Sequence, residues 1–357
     1  MRAGFSTREG SVEWTRVGVN ARGERNKMRK GRMALTIVGI LVLALAALTY
    51  VSYRRDLNRA RLRISSGSHV VNTAGGLVEY ADVGKGPPVL MIHGAGGGFD
   101  QGLEIAQPLI DRGFRVIAVS RFGYLRTPLP ADASPMAQAD AHAALLDVLK
   151  LDRVAVIGVS AGAPSAMQFS LRHPERCSAL ALLFPLAFAP ALAQQGQSSD
   201  SVGPARKPSR LFTLVVKTTL RSDFVYWVAT KFARDILVRT VLGIPIEDFR
   251  NASGEEQARA LRVMQLMLPI SKREKGLWVN DTGVGVSLAR YDLESIHTPT
   301  LLVSAEDDLY GTYRSARYTA EHIPGARFLA FKTGGHLLMG HWVEAVAELA
   351  GFLSDHH

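Results

Sequence analysis

Ser160 stands in Gly158-Val159-Ser160-Ala161-Gly162, behind the apolar run Val154-Ala155-Val156-Ile157 and ahead of a helix-compatible segment, residues 163–171. A strand that turns sharply into a helix around a serine lifts the hydroxyl out of the sheet, and the helix N-terminus behind it favours negative charge. The two glycines have a steric reason, because a side chain at either position would meet the neighbouring strand or helix. A hydroxyl is a weak nucleophile until a base takes its proton and an acid orients that base. Both types occur further along: the acidic cluster Glu306-Asp307-Asp308, and His336 behind two glycines. Each follows a short apolar run, residues 299–303 and 327–331, so each belongs in a loop just past a strand end. Serine, then acid, then histidine is one of the chain orders in which an acyl-transfer triad assembles.

Such a serine also needs donors for the oxyanion that forms when it attacks a carbonyl. His93-Gly94-Ala95-Gly96-Gly97-Gly98, directly after the apolar run 89–92, is a loop whose backbone N–H groups can point at one spot. It lacks the Lys-Ser/Thr of a phosphate-cradling loop and does not match G-x-G-x-x-G opening a helix, which sets phosphate binding aside.

The elements that must position these residues follow from the pattern around them. Residues 69–71 and 77–81 read as a hairpin with a turn at 74–76. Short apolar runs at 89–92, 115–119, 153–157, 179–184, 299–303 and 327–331 then alternate with helical stretches such as 136–149 and 341–353. That alternation predicts an α/β fold: a mostly parallel central sheet with helices on both faces. The interval from about 187 to 290 contains no good strand run and reads as a helical lid, with helix-like stretches at 210–242 and 254–268. Its Phe212, Phe224, Tyr226, Trp227 and Phe232 suit a pocket wall and lid packing equally, while Lys272, Arg273 and Lys275 read as a solvated charge run.

The formal charge of +10 over 357 residues is not a nucleic-acid signal. Residues 1–67 hold 14 Lys/Arg against 4 Asp/Glu, and the rest of the chain holds 28 of each. No basic patch is left for a phosphate backbone. Within the N-terminal part, residues 33–53 run 21 residues without a charge, enough for a transmembrane helix, with Tyr50 and Tyr53 at the interface end. Ala44, Ala46 and Ala47 lie inside the run rather than behind it, so an uncleaved anchor is preferred to a cleaved signal peptide. Residues 1–32 are expected to form a basic disordered N-terminus, 54–67 an arginine-rich linker and 68–357 the globular domain. Within about 18 residues of the span, seven Lys/Arg precede it and five follow it, which favours the large domain outside; a start at Met28 leaves three before it and reverses the bias. The single cysteine, Cys177, excludes an intramolecular disulfide framework and reads as a small buried hydrophobe.

Taken together, His93-Gly94 with the glycines after them, Gly158-x-Ser160-x-Gly162, Asp308 and Gly335-His336 resemble the α/β-hydrolase superfamily over roughly residues 68–355. Arg121-Phe122-Gly123-Tyr124 is similar to that family's segment after its fourth strand, with Leu125 where a second glycine is usual; Ala305 stands where a glycine commonly precedes the acid. The resemblance implies Ser160 as nucleophile, His336 as base, and Asp308, the third residue after Ala305, as the acid. It also implies an oxyanion hole from the N–H groups of Ala95 and Ala161, supported by His93, Gly94 and Gly96. No metal or organic cofactor is required. The implied substrate is a small-molecule carbonyl compound: an ester, a lactone or an activated C–C bond. Acyl transfer to an acceptor other than water, perhydrolysis, and a non-catalytic binding protein of this fold stand as alternatives.

Overall fold

The computed structural model describes residues 12–190, 218–286 and 288–357. The chain divides into two compact units, Met1–Asp56 and Leu57–His357. The first helix, α1 (Val12–Ser66), contains the apolar run. Leu35, Leu41 and Leu43 in that run are each more than 60 % exposed. By length and composition it can cross a membrane. Residues 12–32 are helical rather than disordered. Arg, Lys, Glu, Met and Ala are good helix formers, and they need only propagate a helix that the apolar run has nucleated. Residues 1–11 lie outside the described residues.

The arginine-rich stretch departs from expectation more sharply. The globular unit starts at Leu57, not at residue 68. Leu57 and Ala60 are each 3 % exposed, and Arg63 pairs with Asp100 at 3.0 Å. The last turns of α1 are therefore part of the globular core, not a linker.

Beyond α1 the sheet has eight strands: β1 (His69–Thr73), β2 (Gly76–Val83), β3 (Pro88–Ile92), β4 (Arg115–Val119), β5 (Val154–Val159), β6 (Cys177–Leu183), β7 (Thr300–Ala305) and β8 (Arg327–Phe331). Their spatial order is β1-β2-β4-β3-β5-β6-β7-β8. The β1/β2 hairpin is antiparallel and β2 joins β4 antiparallel, with Tyr80 opposite Val119. From β4 to β8 every pairing is parallel, with Ile92 opposite Gly158 and Leu183 opposite Val303. Strands covered on both faces carry near-continuous apolar residues, which is why β3 to β7 are so plain in the sequence.

Side chains alternate across the sheet, and each face has its own helices. Leu90, Ile92, Val156, Leu180, Leu182 and Leu302 share one core with residues of α3 (Pro135–Leu149), α4 (Ala163–Arg172) and α10 (Thr312–His322). Met91 and Ala118 face the other way, toward α2 (Phe99–Ile110), where a Cβ on Gly102 would lie 3.2 Å from Ala118 Cβ. The last helix, α11 (Trp342–Asp355), also packs on α2. Ser134 starts α3 by accepting from the Ala137 N–H at 3.2 Å, with proline in the first turn, an ordinary N-cap.

Between β6 and β7 the described part of the insertion is helical: α5 (Asp223–Phe232), α6 (Arg234–Thr240), α7 (Ile246–Asn251), α8 (Gly254–Leu266) and α9 (Thr282–Val286), with a π-helical turn at Gly276–Asp281 before α9. Phe212 and the polar stretch before it lie outside the described residues. Tyr226 and Trp227 are buried, whereas Phe232 is 80 % exposed.

Candidate active site

The C-terminal ends of the parallel strands present the loops that carry the chemistry. Ser160 follows β5 directly and has φ +49°, the left-handed region that non-glycine residues avoid. The turn leaves no room on either side. A Cβ at Gly158 would lie 2.6 Å from Ala166 Cβ, and one at Gly162 would lie 2.5 Å from the Ile92 carbonyl oxygen. The strain is thus held by close packing of α4 and β3 against the turn.

His336 lies in the loop after β8, and its Nε2 is 3.0 Å from Ser160 Oγ. Its Nδ1 is 2.7 Å from Asp308 Oδ2 in the loop after β7. Asp308 also accepts from the Tyr310 N–H at Oδ1, 2.8 Å, and from the Thr312 hydroxyl at Oδ2. Burial raises this carboxyl, but facing His336 and the Thr312 and Tyr310 donors outweighs burial and holds it below the usual carboxylate range. The imidazole is fixed by Phe184 at 4.6 Å and Tyr310 at 4.8 Å between centroids. The backbone N–H of His336 donates to the Gly243 carbonyl at 3.2 Å, as does the backbone N–H of Leu309, so one lid residue ties the acid loop to the histidine loop.

The neighbouring acids face elsewhere. Asp307 accepts from the Gly335 N–H at 2.9 Å and the Gly334 N–H at 3.2 Å, and Asp248 of α7 accepts from that same Gly334 N–H at 3.0 Å. Burial, then the adjoining Asp248 carboxyl, push Asp307 up to about 7. Glu306 reaches the Tyr313 hydroxyl at 3.4 Å.

The glycine-rich loop approaches the serine closely: a Cβ on Gly94 would lie 3.2 Å from Ser160 Cβ. His93 is fully buried, with Nδ1 2.6 Å from the Gly94 carbonyl and Nε2 accepting the Arg121 N–H at 3.0 Å. An Nε2 that accepts a backbone N–H places the proton on Nδ1, and burial, then Arg121, lower its pKa well below the ordinary value. His93 is therefore a neutral strut under the loop. Gly94, Ala95, Ser160, Ala161 and His336 line one cavity of about 410 Å³ with Ile105, Leu220, Leu242, Val263, Met267 and Trp278. That size suits a small organic molecule.

Three groups brace this loop, and of them only the Arg121–Tyr124 segment stands out in the sequence. Arg121 and Tyr124 lie under it and join Asp281 of the π-helical turn. Arg273 is fully buried, not solvated, and donates to the Gly97 carbonyl, to Asp100 at 2.8 Å and to the Leu266 carbonyl at 2.6 Å. Arg63 shares Asp100 and donates to the Leu266 and Leu268 carbonyls. Leu125, where a second glycine is usual, takes φ +51°, the conformation that explains the usual glycine. Cys177 is buried and its thiol is pushed up to about 12 by that burial, which makes it inert.

The chain is similar to known proteins over most of its length. The family model described as "alpha/beta hydrolase fold" matches residues 87–340. An uncharacterized hydrolase, YcgS of Bacillus subtilis (strain 168), is 26 % identical over 294 residues, covering 79 % of this chain and 96 % of that protein. The 2-hydroxy-6-oxononadienedioate/2-hydroxy-6-oxononatrienedioate hydrolase of Paraburkholderia xenovorans (strain LB400) is 36 % identical over 115 residues, covering 30 % of this chain and 39 % of its own. Among solved structures, an alpha/beta hydrolase fold protein from Nakamurella multipartita superposes with a TM-score of 0.61 at 27 % identity, covering 80 % of this chain and 98 % of that one.

Proposed function

The chain belongs to the alpha/beta hydrolase fold family and is an esterase-like hydrolase, and from that premise we propose a membrane-anchored serine hydrolase that cleaves an ester, lactone or activated C–C bond next to a carbonyl. The observation that carries this reading is the unbroken series Ser160 Oγ, His336 Nε2, His336 Nδ1, Asp308 Oδ2 at 3.0 and 2.7 Å, beside a strained serine backbone.

The mechanism follows from that series. With Asp308 accepting from Nδ1–H, the Nε2 lone pair faces the Ser160 hydroxyl and takes its proton as oxygen attacks the carbonyl carbon. The imidazolium then faces an ionised carboxylate. Ala95 and Ala161 receive the oxyanion through their N–H groups. As it collapses, His336 gives its proton to the leaving group and the acyl group stays on Ser160. Water, deprotonated by His336, then attacks the acyl carbon, and the proton returns to the Ser160 oxygen as it leaves. An activated carbonyl substrate is supported by analogy with the Paraburkholderia relative, whose name describes a hydrolase of 2-hydroxy-6-oxononadienedioate.

Residues 33–53 hold this unit at a membrane as a single-pass anchor, and the excess of basic residues before the span favours the catalytic unit on the extracytoplasmic side. A fluorophosphonate probe should label the wild type and not Ser160→Ala, in a membrane fraction that high salt does not strip. Equal labelling of both overturns the serine assignment; release by salt overturns the anchor.

A further inference from the structure

The segment from Lys272 to Asp281, where the lid returns toward the sheet, docks on the loop after β4. Leu125 N–H donates to the Lys272 carbonyl at 2.9 Å, Gly276 N–H to the Gly123 carbonyl at 3.0 Å, and Asn280 Nδ2 to the Phe122 carbonyl at 3.3 Å. The approach is close enough that a Cβ on Gly276 would lie 2.1 Å from the Tyr124 ring. The π-helical turn in this segment ends on Asp281, whose side chain is 8 % exposed and lines the catalytic cavity.

Asp281 is the meeting point of two side chains that grip the oxyanion loop from either side of Ala95. Arg121 donates from Nη1 to Asp281 Oδ1 at 2.7 Å and from Nη2 to Oδ2 at 3.0 Å. The same Nη2 reaches the Gly94 carbonyl at 3.2 Å. Tyr124 donates its hydroxyl proton to Asp281 Oδ2 and accepts the Gly96 N–H at 3.1 Å. Tyr124 stays protonated, because burial and then the nearby carboxylate raise its pKa well above the ordinary value. One carboxylate from the lid thus fixes the residue before Ala95 through a guanidinium and the residue after it through a phenol.

We propose that Asp281 is a lid-borne positioning residue: through Arg121 and Tyr124 it sets the aim of the Ala95 N–H, so that the oxyanion hole is complete only when the lid is seated. This rests on the reading of Ser160 as nucleophile and of Ala95 as an oxyanion donor. Asp281 does not touch the reacting atoms. It acts on a loop with little side-chain packing of its own, and a mis-aimed donor acts in the transition state far more than in the ground state.

The test uses the full chain with active sites titrated by a fluorophosphonate, so that only folded enzyme is counted. Asp281→Asn should lower kcat on a p-nitrophenyl ester by roughly 10- to 100-fold, less than outright loss of a donor, with KM nearly unchanged. Affinity for a trifluoromethyl ketone, whose serine adduct carries the oxyanion, should fall by the same factor. Tyr124→Phe, a smaller change that keeps the ring packed, should lose about 3- to 10-fold in the same two quantities, and the double variant should lose less than the product of the singles. A purely structural ion pair predicts a lower melting temperature with normal kcat per titrated site, and that result overturns the proposal. So does a change confined to KM. Wild-type turnover that survives Ser160→Ala removes the serine reading and this assignment with it; Ser160-dependent turnover unmoved by Asp281→Asn removes this assignment alone.

Discussion

Replacing Asp308 by asparagine changes one atom, and the structure says which way the amide must sit. The Tyr310 backbone N–H points at Oδ1 from 2.8 Å and cannot turn away, so that position must keep an oxygen. The amide nitrogen is thereby forced into the Oδ2 position, facing His336 Nδ1 at about the 2.7 Å of the native contact. The Thr312 hydroxyl, which donates there in the wild type, can rotate to accept. The imidazole cannot adapt without cost. It must accept from the amide at Nδ1, which puts its proton on Nε2 and points an N–H, not a lone pair, at Ser160 Oγ 3.0 Å away. The base is then in the wrong tautomer and has lost the carboxylate that stabilises its charged form. In a serine triad that combination costs about four orders of magnitude in kcat, or roughly 5.5 kcal/mol of transition-state stabilisation. The assay is kcat on an activated ester at pH 7–8, with the rate of fluorophosphonate labelling as a second measure and the melting temperature as a control. Asp307→Asn is the internal comparison, since its carboxyl faces Gly334, Gly335 and Asp248 and should keep most activity. Asp308→Asn within tenfold of wild type, or a dead Asp307→Asn beside it, would refute the reasoning.

Four further outcomes are expected. Ser160→Ala should abolish ester turnover and leave the melting temperature nearly unchanged, because it opens no large cavity; a destabilised protein would mean the hydroxyl has a packing role. His336→Ala should lose several orders of magnitude, whereas His341→Ala should lose little, since the His341 ring stacks on Phe331 at 4.5 Å and touches no triad atom; the reverse ranking would move the base. A chain lacking residues 1–56 should be active and stable, but one lacking 1–67 should be less stable, because it forfeits buried Leu57, worth roughly 1.5–3 kcal/mol, and the Arg63–Asp100 pair; equal melting temperatures would dismiss the α1 contribution. Asp307 holds its proton more tightly folded than unfolded, about 7 against 3.8, so native protein binds more protons between those values and stability falls as pH rises through the window. Asp307→Asn, fixed in the neutral state, should therefore show a smaller drop in melting temperature from pH 5 to pH 8 than wild type, and an equal drop would count against the raised value.

What the sequence discloses and what it hides divide along physical lines. Strands buried on both faces must be apolar throughout, so β3 to β7 are visible as runs such as Val89 to Ile92. The serine turn is visible because both steric requirements fall within five residues. The acids 306–308 are adjacent in sequence and differ only in where the turn sends them, which no local pattern records. Arg273 sits in Lys272-Arg273-Glu274-Lys275, and charged neighbours, two exposed and one half-buried, disguise the fully buried one. Asp281 is a lone acid whose partners stand 160 and 157 positions earlier. The last turns of α1 are hidden the same way, since arginines between Leu57 and Ile64 mask an inward face of Leu57 and Ala60.

Arg273 also bears on how such an enzyme can diversify. Lid insertions look like detachable parts, open to wholesale replacement when a new substrate is to be accommodated. Here the lid's return carries a guanidinium on which the Gly97 carbonyl and the buried Asp100 carboxylate both depend. A foreign lid inserted up to β7 without an equivalent arginine would leave that carboxylate with Arg63 as its remaining cation and the Gly97 oxygen without this donor, however intact the triad. The stretch ahead of Arg273 is therefore the part of the lid open to rewriting, while the place where the lid rejoins the sheet is built into the floor beneath the Gly97 loop.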